Sequence, residues 1–195
     1  MYLTGQVGHP NTDGADGSET RSNPGMPMEQ SAIRTEDGEV AHVPPPDGAT
    51  RRPVGPFVVL IRHAERLDGP DPGLSPAGRA RAELLARMLA DASVVGVYVT
   101  DTRRSRETGR DTATTAGLSP TQYVADDATG LAASIARGPD QGAVLVVAHS
   151  NTVDDIATAP GAESVGELAE EEFDRMLVLG PDGSVLRLRF GAPAH

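Results

Sequence analysis

Phe57-Val58-Val59-Leu60-Ile61-Arg62-His63 starts as an unbroken apolar, β-prone run and stops abruptly on two basic side chains. Such a run reads as a strand buried on both faces, which is the habit of parallel sheets. Two later stretches repeat the form. Val94 to Val99 leads into Thr100-Asp101, and Ala143-Val144-Leu145-Val146-Val147-Ala148 ends on His149.

Helical patterns separate these runs. Ser75 is a good N-cap with Pro76 at the first helical position, and Ala80, Leu84, Leu85, Met88 and Leu89 recur at helical spacing. An arginine-rich helix is expected over Arg103 to Thr115, a shorter one over Ala128 to Ala136, and a short strand near Gln122-Tyr123-Val124. Met176 to Leu179 and Val185 to Phe190, split by Gly180-Pro181-Asp182-Gly183-Ser184, read as a closing β-hairpin. The alternation predicts an α/β fold of three layers, α/β/α, with a mostly parallel central sheet and a C-terminal β-hairpin.

The chain has 195 residues, room for one ordinary domain and a tail. Residues 1–56 are dominated by Gly, Pro, Asp, Ser and Thr, include Val43-Pro44-Pro45-Pro46, and show no periodicity, so they are expected to form a disordered N-terminal extension. The domain is expected at 57–191. Asn11 to Gly17 is acidic but lacks the alternating ligands and closing Glu of a calcium loop.

Composition excludes several classes of function. A net charge of -11 with no basic, aromatic-interleaved stripe argues against nucleic acid. All 17 basic residues are Arg, so a phosphate would be held by arginine and Schiff-base chemistry is excluded. Zero Cys removes disulfides and thiolate chemistry. No membrane span or signal-type apolar stretch is visible, so a cytoplasmic protein without a membrane partner is expected.

In open α/β sheets ligands sit at the carboxyl ends of strands. Arg62 and His63 follow the first strand, Arg103 and Arg104 open the helix after the second, and His149 follows the third. Phosphoryl transfer needs an in-line nucleophile and positive donors around three equatorial oxygens. A neutral imidazole supplies the first and planar guanidinium forks the second. Each residue also has a structural reading: a lone strand-end histidine is often a core residue, and Arg103, Arg104, Arg106 and Arg110 suit a solvated helix face paired with Glu107 and Asp111. The two histidines without carboxylates at ligand spacing do not make a metal site, and no cofactor is expected.

Leu60-Ile61-Arg62-His63-Ala64-Glu65 resembles the Arg-His-Gly-Glu signature of the histidine phosphatase superfamily, which also holds the cofactor-dependent phosphoglycerate mutases. Leu74-Ser75-Pro76-Ala77-Gly78, Val97 to Thr108 and Val144 to Thr152 resemble its further blocks, in the family's order. The resemblance implies that His63 is the phosphorylated nucleophile, Arg62 and Arg104 bind the phosphoryl group, and His149 is the second pocket histidine, with Glu65 and Ser150 at the substrate. Ala64, Thr100, Thr102 and Gly109 stand where the family usually has Gly, Ser, Leu and Ala.

The resemblance leaves the general acid open. Asp126 and Asp127 lie in the interval where many relatives supply one, although they also suit a helix N-cap, and Glu65 is a further candidate through a water. That interval is too short for a large lid, so the small phosphohistidine phosphatases are the implied branch and mutase activity is a distant alternative. The expected reaction is hydrolysis of a phosphorylated small molecule or phosphoprotein, with a non-catalytic phosphate-binding module as the rival. Activity is expected to fall in acid as His63 protonates.

Overall fold

The computed structural model describes residues 55–159 and 164–193. The expected extension therefore falls almost wholly outside the described residues. Along the chain run β1 (Phe57–Arg62), α1 (Pro76–Met88), β2 (Val94–Val99), α2 (Arg103–Thr115), β3 (Thr121–Gln122), α3 (Ala128–Ala136), β4 (Ala143–Ala148), α4 (Val153–Thr158), β5 (Arg175–Leu179) and β6 (Val185–Arg189).

The strands form a sheet of order β3-β2-β4-β1-β5-β6, parallel from β3 to β1 and antiparallel at β5 and β6. Side chains alternate across a strand, and the core divides accordingly. Val59, Ile61, Val97, Val99, Leu145 and Val147 pack under Leu85 and Leu89 of the α1 side and Ala113 of α2. Leu60, Val144, Val146 and Ala148 face Leu131 of α3 and Val153, Ile156 and Ala157 of α4. This is the expected three-layer α/β fold with its hairpin. The strand expected near Gln122-Tyr123-Val124 is a two-residue pairing one position earlier, and α4 is an element that the periodicity did not show. Among the described residues no helix is long and apolar enough to cross a membrane.

Register places the chemistry. Arg62 pairs with Ala148 across β1 and β4, so the next residues, His63 and His149, emerge side by side. Val99 pairs with Val147, which sets Thr100 beside the same strand end. Three strand ends thus converge on one point because the strands are in step.

Candidate active site

His63 is held from several sides. Its backbone N–H donates to the Ala148 carbonyl at 2.9 Å, and the Ala64 N–H donates to Thr108 Oγ1 at 3.0 Å, which ties the loop to α2. The Glu65 carbonyl accepts from the Ser75 N–H at 2.9 Å, tying the same loop to the start of α1. Gly78 makes that approach possible: a Cβ there would lie 2.0 Å from the Glu65 carbonyl oxygen.

The His63 ring is 3% exposed, and its Nδ1 sits 2.9 Å from the Ala64 carbonyl oxygen. A carbonyl only accepts, so Nδ1 carries the proton and the lone pair belongs to Nε2. Burial, against the opposing hydrogen bond to Ala64 and with the nearby charge of Arg62, lowers the imidazole pKa to about 3. His63 is thus a neutral base at any ordinary pH, and the expected acid loss through its protonation moves to far lower pH.

His149 lies with its ring centroid 5.4 Å from that of His63, edge to face. Burial, followed by Arg104 and Arg62, lowers its pKa to about 4, with Asp101 acting in the opposite sense. Its Nε2 is 3.0 Å from Thr100 Oγ1. Arg62, 3% exposed, donates through one terminal nitrogen to the carbonyls of Ala169 at 3.0 Å and Glu170 at 2.5 Å. Its guanidinium lies 4.2 Å from the Phe173 ring centre.

Arg62 Nε, Arg104 Nε and His149 Nδ1 are buried without a hydrogen-bond partner among the described residues, as is Thr112 Oγ1 further along α2, and the first three residues lie near enough to His63 to lower its pKa. Buried polar atoms are almost always satisfied, so orphaned ones need a reason. A tetrahedral anion offering three equatorial oxygens supplies one.

The remaining sequence candidates are placed elsewhere or left without contacts. Glu65, expected at substrate, turns its carboxylate to Arg81, with Nε at 3.0 and 2.9 Å and Nη2 at 2.7 Å. Arg81 also reaches the Phe190 carbonyl at 2.6 Å and the Ala192 carbonyl at 2.7 Å, so it joins the loop after His63 to the segment that follows β6. Asp127, a candidate acid, caps α3 by accepting from the Gly130 N–H at 2.8 Å. Asp126 is exposed, and Ser150 is partly exposed in the turn after His149. Arg103 pairs with Glu107 at 2.7 Å on the outer face of α2.

Sequence reasoning missed the cover. No lid comes from the interval between α2 and β4; instead the segment Leu168 to Phe173, ahead of β5, lies over Arg62, and Phe173 sits 6.0 Å from the His63 ring. The segment has no periodicity, and its only signal was one phenylalanine beside Glu170-Glu171-Glu172. Glu170 lies 3.7 Å from Arg66 and 3.9 Å from Arg62. Two cavities, about 270 Å³ beside α3 and about 640 Å³ beside α1, are lined by neither histidine.

Comparison with known proteins gives a consistent picture. The family model described as histidine phosphatase superfamily (branch 1) matches residues 58–128. No curated protein matches the chain. Among solved structures, a candidate phosphohistidine phosphatase SixA from Agrobacterium tumefaciens is 24% identical, with a TM-score of 0.50, covering 72% of this chain and 99% of that one. A structure described as mycobacterial hydrolase 1 is 16% identical, also at 0.50, covering 71% and 98%. At these identities the likeness is one of fold.

Proposed function

We propose that this chain is a member of the histidine phosphatase superfamily, whose branch 1 model matches residues 58–128, and a phosphatase whose His63 takes up the phosphoryl group covalently. The observation that carries the reading is the set of orphaned buried donors around a neutral imidazole whose free lone pair is on Nε2.

The phosphoryl group sits between Arg62, Arg104 and His149, where charge-assisted hydrogen bonds hold its oxygens. His63 Nε2 attacks in line; the new P–N bond forms as the bond to the leaving group breaks. Water then attacks phosphorus, the P–N bond breaks, and His63 returns to its neutral state with release of phosphate. Low pKa keeps the nucleophile unprotonated and ready, at the cost of a less basic nitrogen.

The leaving group decides the substrate class. Asp127 serves as a cap and Glu65 is clamped by Arg81, so neither supplies a proton as placed. An alkoxide needs that proton, whereas the imidazole of a phosphohistidine departs more easily. Protein phosphohistidine or a monoester with a good leaving group is the reading this arrangement favours.

The test is hydrolysis of p-nitrophenyl phosphate and of a phosphohistidine peptide, with EDTA present, by wild type and His63→Ala, with the phosphoenzyme trapped by an alkaline detergent quench. Loss of turnover in the variant and an acid-labile phosphoenzyme in wild type are expected. Phosphate binding that depends on Arg62 and Arg104 without turnover on either substrate would instead make the protein a phosphate-binding module.

A further inference from the structure

With a pKa of about 4, His149 carries no positive charge at neutral pH, so it helps an anionic phosphoryl group only if the proton it holds is on the nitrogen facing that group. The structure contains a device that decides which nitrogen that is. Thr102 is the N-cap of α2, and its Oγ1 accepts from the Ser105 N–H at 3.4 Å. Thr102 Oγ1 lies 3.1 Å from Thr100 Oγ1, and Thr100 Oγ1 lies 3.0 Å from His149 Nε2.

An amide N–H can only donate, and the positive end of a helix draws oxygen lone pairs towards it. The Thr102 hydrogen is therefore turned outward, onto Thr100 Oγ1. The Thr100 hydrogen then points at His149 Nε2, which accepts it; were Nε2 protonated instead, Thr100 Oγ1 would accept from both neighbours and its own buried hydrogen would have no acceptor among the described residues. The reverse direction leaves the Thr102 hydrogen without an acceptor among the described residues and turns a buried Nδ1 lone pair towards the anion. Thr100 is itself fixed: it is 1% exposed, its N–H donates to Ser105 Oγ at 3.0 Å, and Ser105 donates onward to the Val147 carbonyl at 3.1 Å.

We infer that Thr102 and Thr100 form a one-way hydrogen-bond relay, anchored on the N-terminus of α2, that holds His149 as the Nδ1–H tautomer and so makes a neutral histidine a donor to the transferred phosphoryl group. Both threonines are positioning residues, and the inference rests on the reading that His149 faces that group. Thr102 stands where the resemblance expects leucine, so the relay is a property of this chain.

The experiment is long-range imidazole proton–nitrogen NMR on the nitrogen-15-labelled full chain, without substrate, alongside kcat and KM for p-nitrophenyl phosphate. Wild type, Thr102→Ser and Thr100→Ser are expected to show a protonated Nδ1 and a pyridine-like Nε2 on His149. Thr102→Asp keeps an excellent cap but has no hydrogen to give, so it accepts from Thr100, reverses the relay and moves the proton to Nε2. Thr100→Val removes the last link, with kcat falling about 10–100-fold, the range for loss of a second-layer partner, and KM nearly unchanged.

Capping alone would make Thr102→Asp and Thr102→Ser equivalent, and that result overturns the relay. A wild-type His149 protonated on Nε2 overturns it as well. The assigned tautomer in a protein that turns over neither phosphate ester nor phosphohistidine would leave the relay standing and remove the phosphatase reading.

Discussion

Acidification provides a measurement of how deeply the two histidines are buried. Both have pKa values lowered from 6.5, to about 3 for His63 and about 4 for His149. Below pH 6.5 the unfolded chain takes up protons that the folded chain refuses, so stability is whole above that pH and declines as pH falls towards the folded values. Between pH 7.5 and 5.0 each histidine withdraws about 2 kcal/mol, and the pair about 4 kcal/mol, a large share of the 5–15 kcal/mol typical of a domain. Urea unfolding at the two pH values, on wild type and His149→Gln, isolates one of them, because carboxylate titration and the relief of net negative charge are common to both proteins. Gln places an acceptor near the position of Nε2 and does not titrate. The variant should lose about 2 kcal/mol less than wild type over the interval. Equal losses in the two proteins would refute the reasoning.

Three further substitutions probe the supports of the loop after His63 and the packing of α2. Glu65→Ala leaves the Arg81 guanidinium, 7% exposed, without its carboxylate, and should cost about 3–5 kcal/mol in chemical denaturation; a loss under about 1 kcal/mol would show the pair to be dispensable. Gly78→Ala sets a methyl against the Glu65 backbone carbonyl and should cost about 3 kcal/mol in the same denaturation, the upper end for overpacking. Gly109→Ala meets only valine side chains, the nearest at 2.8 Å, and gains helix propensity of about 1 kcal/mol, so its melting temperature should change little.

The fold was legible because its three central strands are nearly pure apolar runs whose ends carry the only abrupt change to charge. α4 escaped notice because Val153–Thr158 is six residues long and carries Asp154 and Asp155, too short for a period to emerge. His63, His149, Arg62 and Arg104 could be placed at strand ends and helix starts from sequence, since register alone brings those positions together. Glu65 could not: its partner is sixteen residues away on a helix whose rotation is fixed by Gly78. The cover from Leu168 to Phe173 was invisible for a different reason. Its hydrogen bonds to Arg62 come from backbone carbonyls, and a sequence does not display carbonyls. The histidine tautomers likewise follow from hydrogen-bond partners that exist only once the strands are aligned.

Arg81 makes one end of the fold depend on the other. It ties Glu65, two residues past His63, to carbonyls at Phe190 and Ala192, beyond β6. A chain cut before Phe190 keeps β1 and the histidine that follows it but loses both carbonyls that hold Arg81, so the loop after His63 leans on a segment 109 residues further along than the arginine that steadies it.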